Sequence, residues 1–311
     1  MDKYDQYQSN ELELVKACDL CGGSKFETEL VTNGWNLVRC DECGLVFTSP
    51  RYTEAYLQKL YETRYYENAS GYLSMQISEP SRDEYHLAKS LMRMCGGKRG
   101  IRKLRSLDVG CGAGRITEAF KKCGWEAVGI DLSSKAVDIG VSHGLDLRVA
   151  EIDDPSLGVF DMITGFHILE HLHSPRMFLD QCSQRLVSGG HLLIEVPNYG
   201  SRNASRMGAN WPNLYPDGHL FQFSLDTIRR YLTQTKFDLV KVRKVHGRGP
   251  LEDYSSCPTI DPRRQDRLKG FFFSLRHLVY WSPMCRKIIT HIFWHTLGYG
   301  EFLRILARKA N

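Results

Sequence analysis

No run of the sequence approaches the ~18 uninterrupted apolar residues of a membrane span, so an integral membrane protein is not expected. The opening stretch, MDKYDQYQSNELEL, is polar and acidic and lacks the apolar segment of a secretory signal. A concentrated basic element is also missing. The formal net charge is +5, with Lys and Arg spread evenly until about the last fifty residues, which argues against nucleic acid as the partner. Nor is the chain poor enough in apolar residues for disorder: 42% are hydrophobic and 25% charged, ordinary for a globular protein. Its 311 residues allow one large domain with an appendage, or two modest ones. What the chain does have is 10 cysteines without an export signal. That combination predicts reduced thiols in a cytoplasm, open to metal before disulfides.

Four of these cysteines form two C-x-x-C knuckles, Cys18-Asp-Leu-Cys21 and Cys40-Asp-Glu-Cys43, with 18 residues between them. The interval suits a tetrahedral four-thiolate zinc site. Glycines follow each knuckle (Gly22-Gly23 and Gly44), so the backbone can curl and aim N–H groups at sulfur. Between the knuckles, FETELVTNGWNLVRC reads as two short strands around an Asn33-Gly34 turn. The expectation is a zinc-ribbon-like module over 15–50 with Cys18, Cys21, Cys40 and Cys43 as ligands, structural in role or a substrate-docking lobe. A linker and helix over 51–84 follow. Their tyrosines (Tyr52, Tyr56, Tyr61, Tyr65, Tyr66 and Tyr72) either pack on the main domain or line the mouth of a pocket.

The segment RSLDVGCGAGRIT is an apolar strand, a turn with Gly110, Gly112 and Gly114, and a helical start. Alternating glycines bring backbone amides close to a ligand at a helix N-terminus. The spacing is not the G-x-G-x-x-G of dinucleotide sites. Three acids accompany it: Asp108 before the turn, Asp131 at the end of the strand WEAVGID, and Asp153 in VAEIDD. Asp131 lies 17 residues beyond Gly114, near the distance at which an acid grips ribose hydroxyls.

LDVGCGAG, VGID, FDMITGFHILEHL and GGHLLIEVPN, in that order, resemble the class I S-adenosylmethionine-dependent methyltransferases over roughly 85–245. The resemblance implies a doubly wound α/β fold: a mostly parallel seven-stranded sheet of order 3-2-1-4-5-7-6, in a domain over 85–311. It implies S-adenosylmethionine as cofactor, with Asp108, Gly110, Gly112 and Gly114 at its methionine and ribose portions. Asp131 and Leu132 would meet the ribose, Ile152 and Asp153 the adenine, and His167 the methionine end.

His167-Ile-Leu-Glu170-His171 also matches the H-x-x-E-H of inverted zinc proteases. That motif needs one continuous helix. Here the string follows a strand, and the next helix begins only at Ser174-Pro175, expected to run to a Gly189-Gly190 stop. Quinone O-methyltransferases resemble this chain at the position, so the string is assigned to methyl transfer. Glu170 and His171 are candidates for general base, for holding a divalent metal, or for fixing the loop. His173 reads as a surface residue. After the fifth strand, a long loop with Trp211, Tyr215 and His219, ending at the Ser224 N-cap, is where a substrate lid would sit, which makes His219 a second candidate base.

Phe237 to Val245 and Gly300 to Arg308 read as the last two strands, separated by an insert over about 247–299. Its apolar, aromatic 268–298 part suggests amphipathic helices packing on the domain or on a second copy, or a platform for a lipid-linked acceptor at a membrane surface. The expected activity is O-methylation of a small molecule or glycan, with a histidine taking the proton. A zinc-lobe-guided RNA methyltransferase, a sugar C-methyltransferase and a non-catalytic cofactor-binding regulator are the alternatives.

Overall fold

The structure, a computed structural model, describes residues 11–57, 59–60, 79–96, 103–245 and 300–310. The expected insert, and Tyr61, Tyr65, Tyr66 and Tyr72, lie outside the described residues. The first strands are β1 (Leu12–Glu13), β2 (Phe26–Thr32), β3 (Trp35–Cys40), β4 (Val46–Thr48) and β5 (Arg51–Tyr52). The β2–β3 hairpin turns through Asn33 and Gly34 with φ of 52° and 75°. Two consecutive left-handed residues are the type I′ geometry an Asn-Gly pair favours.

A larger sheet follows. Helix α1 (Arg82–Met94) precedes β6 (Arg105–Val109), α2 (Arg115–Lys122), β7 (Glu126–Asp131), α3 (Ser134–Ser142) and β8 (Asp146–Val149). Then come β9 (Phe160–Phe166), α4 (Pro175–Arg185), β10 (Leu186–Pro197), α5 (Arg202–Met207), β11 (Phe221–Gln222), α6 (Leu225–Gln234), β12 (Phe237–Val245) and β13 (Phe302–Lys309). Seven strands pair in the order β12-β13-β10-β9-β6-β7-β8. Numbered from β6, that is 3-2-1-4-5-7-6, as expected. Strands β6 to β10 pair in parallel and β13 runs antiparallel to both neighbours. Phe160, Met162 and Ile163 of β9, at the centre of the sheet, are fully buried, as a strand covered on both faces requires.

Two expectations need correction. Helix α1 begins at Arg82, where Ser81 and Glu84 form a reciprocal capping box, so a domain boundary at 85 would cut this helix. Its buried face, Ala88 and Leu91, joins Phe120 and Trp125 in one core cluster. Helix α4 ends at Arg185, not at Gly189-Gly190. Leu186 enters β10, and the glycines sit in a register shift between Leu186 and His191, where the chain needs φ of 70° at Gly189.

The cysteine lobe is not a separate bead on a linker. Strand β11, from the long loop after β10, pairs with β4 and completes a four-stranded sheet in the order β11-β4-β3-β2. Phe47 is fully buried 6.1 Å from the Phe221 ring, and Thr48 Oγ1 donates to Pro216 O at 3.1 Å. One cluster runs from Cys18, Leu20 and Trp35 through Phe47, Leu220 and Phe223 to Leu107, Ile163 and Ile194 of the main sheet. A lobe this small buries too little apolar surface alone.

Candidate active site

Gly110, Gly112 and Gly114 have φ of 67°, 54° and 87°, which other residues adopt only with strain. The Gly112 N–H donates to Asp131 Oδ2 at 2.8 Å and the Ser133 N–H to Asp131 Oδ1 at 2.9 Å. One carboxylate therefore ties the turn after β6 to the turn after β7, at the carboxyl ends of neighbouring parallel strands. Each of its oxygens retains a further acceptor position. Leu132, 59% exposed, follows Asp131. Ile152 is buried and Asp153 exposed on the turn after β8, where Arg185 donates to both backbone carbonyls. Asp108 is differently placed: its buried carboxylate accepts from Thr164 Oγ1 at 2.7 Å and Thr117 Oγ1 at 3.2 Å. Burial pushes it up to about 7 against the pull of those two hydroxyls. It braces the glycine turn from beneath.

The HILEH segment lies beside this turn. A β-carbon on Gly110 would come within 3.0 Å of Ile168 Cδ1, and one on Gly165 within 3.0 Å of Ile168 Cγ2. Ile168 thus packs against backbone that two glycines leave bare. His167 reaches its place in a left-handed conformation, φ 55°, with its N–H donating to Glu195 O at 2.9 Å. Its ring lies between carboxylates, Nδ1 3.5 Å from Glu170 Oε1 and Nε2 3.4 Å from Glu195 Oε1. Burial works against its charge, but those two carboxylates prevail and raise it to about 9.

A 3₁₀ turn, Leu169–His171, presents the next two side chains. Glu170 is fully buried, and neither carboxylate oxygen has a hydrogen-bond partner among the described residues. Burial raises its pKa, yet His167, His171 and His219 together lower it below the usual glutamate range. His171 and His219 meet edge to face, ring centroids 4.7 Å apart. His171 Nδ1 lies 2.9 Å from Gly218 O and His219 Nδ1 3.0 Å from Asn213 O. A carbonyl only accepts, so both Nδ1 atoms donate, and in the neutral rings Nε2 keeps the lone pair. One potential ligand atom from each of Glu170, His171 and His219 lies within 4.8 Å of the others. Burial, then the neighbouring His171, push His219 down to about 4.

Residues 81–242, more than half of the chain, match the family described as "Methyltransferase domain". The chain belongs to the S-adenosylmethionine-dependent methyltransferase family. Curated relatives include ubiquinone biosynthesis O-methyltransferases. That of Alkalilimnicola ehrlichii is 30% identical over 132 residues, 39% of this chain and 51% of the relative. That of Xanthomonas oryzae pv. oryzae is 34% identical over 103 residues, 30% and 43%. The chain thus spans about half the length of the curated relatives it matches. Among solved structures, magnesium protoporphyrin IX methyltransferase from Synechocystis PCC 6803, with bound SAH, gives a TM-score of 0.51 at 10% identity. The match covers 83% of this chain and 100% of that one, and at this identity it shows the fold alone.

In this methyltransferase the remaining expected residues fall in three places. The four cysteines converge in the lobe, with Cys18 and Cys43 sulfurs 3.5 Å apart and Cys21 and Cys40 sulfurs 3.5 Å apart. A thiolate tetrahedron with ~2.3 Å bonds has an edge of ~3.8 Å, so the donor set fits zinc. The Gly23 N–H points at Cys21 Sγ, 3.4 Å away. Without a cation, burial pushes the thiols of Cys18 and Cys43 up, Cys43 to about 11.

Trp211, read as part of a substrate lid, is instead 2% exposed and packs with Leu37, Val46 and Leu214, because the loop folds under the lobe. Tyr215 stays 54% exposed, its ring 5.8 Å from His219. Tyr52 and Tyr56 pack on the lobe: Tyr52 lies 4.8 Å from both Trp35 and Tyr56. His173, read as a surface residue, is only 14% exposed at its side chain, and its Nε2 donates to Tyr52 O at 2.8 Å. Sequence reasoning missed Ile168 and Glu195. Glu195, an acid inside the apolar strand LLIEVP, was a visible signal.

Proposed function

We propose that this chain transfers a methyl group from S-adenosylmethionine to a hydroxyl on a small molecule or glycan, with His171 taking the proton. The observation that carries this reading is the Glu170–His171–His219 cluster. It lies directly against the glycine turn through Ile168, at the carboxyl ends of the central strands. Crevices at that end of a doubly wound sheet are where ligands bind. In this reading the amides of Gly110, Gly112 and Gly114 and the Asp131 carboxylate hold the cofactor's methionine and ribose. Leu132 lies by the ribose, Ile152 and Asp153 enclose the adenine, His167 stands at the methionine end, and Asp108 keeps the turn in shape. The donor set of Cys18, Cys21, Cys40 and Cys43 supports a structural zinc ion.

S-adenosylmethionine supplies an activated methyl, whose carbon–sulfur bond breaks in line as a carbon–oxygen bond forms. The protein's share is alignment and removal of the hydroxyl proton. His219, pushed down to about 4, is a weak proton acceptor, which leaves the role to His171. Its Nδ1–H bond to Gly218 O sets the tautomer in which Nε2 carries the lone pair. Curated relatives named O-methyltransferases support oxygen as the acceptor atom.

A second reading rests on the clustered ligand atoms of Glu170, His171 and His219: a divalent cation held by them would bind and acidify the acceptor hydroxyl. Cell extracts incubated with methyl-labelled cofactor test the proposal. Label should enter small molecules or glycans on oxygen, and His171→Ala should lower it more than about a hundredfold while cofactor binding persists. Label confined to RNA, or on carbon, would overturn the hydroxyl assignment. Transfer abolished by a chelator that leaves the four cysteines' metal in place would favour the second reading.

A further inference from the structure

Asp19 stands inside the first knuckle, between Cys18 and Cys21, and its carboxylate leaves the lobe altogether. Oδ1 accepts from Ser174 Oγ at 2.7 Å, and Oδ2 accepts from the Arg176 N–H at 3.0 Å and the Tyr231 hydroxyl at 2.9 Å. These partners mark the start of α4, three residues beyond His171. Ser174 already caps that helix, its Oγ accepting from the Met177 N–H at 3.3 Å. The carboxylate from the knuckle adds a second acceptor for the unpaired amides of the first helical turn, together with a negative charge at the positive end of the helix.

The lobe grips the same segment a second time. Arg51 Nη1 donates to His173 O at 3.2 Å, and His173 donates to Tyr52 O. Residues 173–176 are therefore held from the lobe on both backbone and side chain, immediately after the Glu170–His171 pair. The knuckle's own shape depends on its sulfurs and glycines: Gly22 N donates to Cys18 O at 2.8 Å, and Cys18 N to Gly23 O at 2.8 Å. A shift of the knuckle by an ångström would break the bonds from Asp19 to α4.

We infer that Asp19 is a positioning residue: it locks the start of α4 to the four-cysteine knuckle, so the state of that knuckle sets the placement of Glu170 and His171. Its catalytic meaning rests on the reading of Glu170 and His171 as the reacting pair. The coupling itself exists whether or not that reading holds. Asp19 is surplus to helix formation, since Ser174 supplies the local cap. What it contributes is location.

The test uses the full chain, purified with zinc and shown to hold it. Asp19→Ala, Tyr231→Phe and, as a control, Ser81→Ala are compared with the native chain. Ser81→Ala removes a similar cap from α1, which does not bear on the cluster. Three readouts apply: imidazole ¹⁵N signals of His171 and His219, amide exchange over residues 167–177, and calorimetric cofactor binding. Asp19→Ala should keep its zinc and bind cofactor within about twofold of native. It should shift the His171 and His219 signals and speed exchange over 167–177 at least tenfold. Tyr231→Phe, which removes one of three bonds to Asp19, should move the same signals less, and it serves alone if Asp19→Ala does not fold. Unchanged histidine signals, or equal shifts in Ser81→Ala, would overturn the inference. Shifted signals in a chain that transfers no methyl group would uphold the coupling and defeat the functional reading.

Discussion

Both oxygens of Asp131 accept backbone N–H bonds, one from each of two neighbouring turns. Replacing it with Ala removes the acceptor proposed for the ribose hydroxyls and also unties Gly112 from the turn after β7. Cofactor affinity should fall by on the order of 2–3 kcal/mol, the cost of stranding polar groups that have no other partner. Unchanged binding by calorimetry would refute the assignment. His219 gives a pH prediction. Its folded pKa of about 4 lies below the ordinary 6.5, so between those values the unfolded chain binds more protons than the folded one. Stability from this group is complete above about 6.5 and lost as pH falls through 4. His219→Gln should flatten that part of the stability-versus-pH profile measured by denaturant titration, and an unaltered slope would show that His219 is not buried neutral. These residues were legible to different degrees. Asp131 and the glycines could be named because strand, turn and acid lie close in sequence. The pairing of His171 with His219 could not, because it depends on how a loop 47 residues away folds back.

The segment β9–HILEH–α4 joins the glycine turn, the Glu170–His171–His219 cluster and the lobe. Its sequence announced the strand by a continuous apolar run and the helix by Ser174-Pro175. It did not announce that Ile168 would fill the space over Gly110 and Gly165. Two glycines separated by 55 residues carry no sequence mark of sharing one neighbour. A β-carbon at Gly165 would press on Ile168 Cγ2 at 3.0 Å, and a valine there would press harder. Gly165→Val should displace Ile168, weaken cofactor binding by at least tenfold and cost about 1–3 kcal/mol of stability, the usual penalty for overpacking. The paired change Gly165→Val with Ile168→Ala should restore binding substantially. If the double variant is as impaired as the single one, Ile168 is not the element linking the two turns. The alternation of strands and helices otherwise followed from apolar patterning, and the sheet order from the family resemblance. The end of α4 did not, because Gly189 and Gly190 serve a bend within β10 rather than a helix cap.

The lobe and the methyltransferase sheet share a single apolar cluster, and the fourth strand of the lobe's sheet comes from the loop after β10. The sequence could not disclose this. It places Phe221 and Phe47 far apart, and each strand taken alone looks local. No helix among the described residues is long and apolar enough to cross a membrane, in keeping with the absence of long apolar runs. A shared core has a thermodynamic consequence. Two independent units would melt separately, whereas units joined through buried side chains such as Phe47, Leu220 and Phe223 lose their packing together. A metal that binds only the folded lobe stabilises everything coupled to it, by an amount set by its free concentration and affinity. Removing the metal proposed for Cys18, Cys21, Cys40 and Cys43 with a strong chelator should therefore lower one cooperative transition of the whole chain. The midpoint should fall by more than about 5 °C, since each kcal/mol lost moves a protein of this size by roughly 2–4 °C. Scanning calorimetry with and without chelator reads this directly. Two separated transitions, the upper one unmoved by chelator, would mean that the lobe folds on its own and only rests against the sheet. A single lowered transition would mean that losing the proposed metal loosens the core that the lobe and the sheet share.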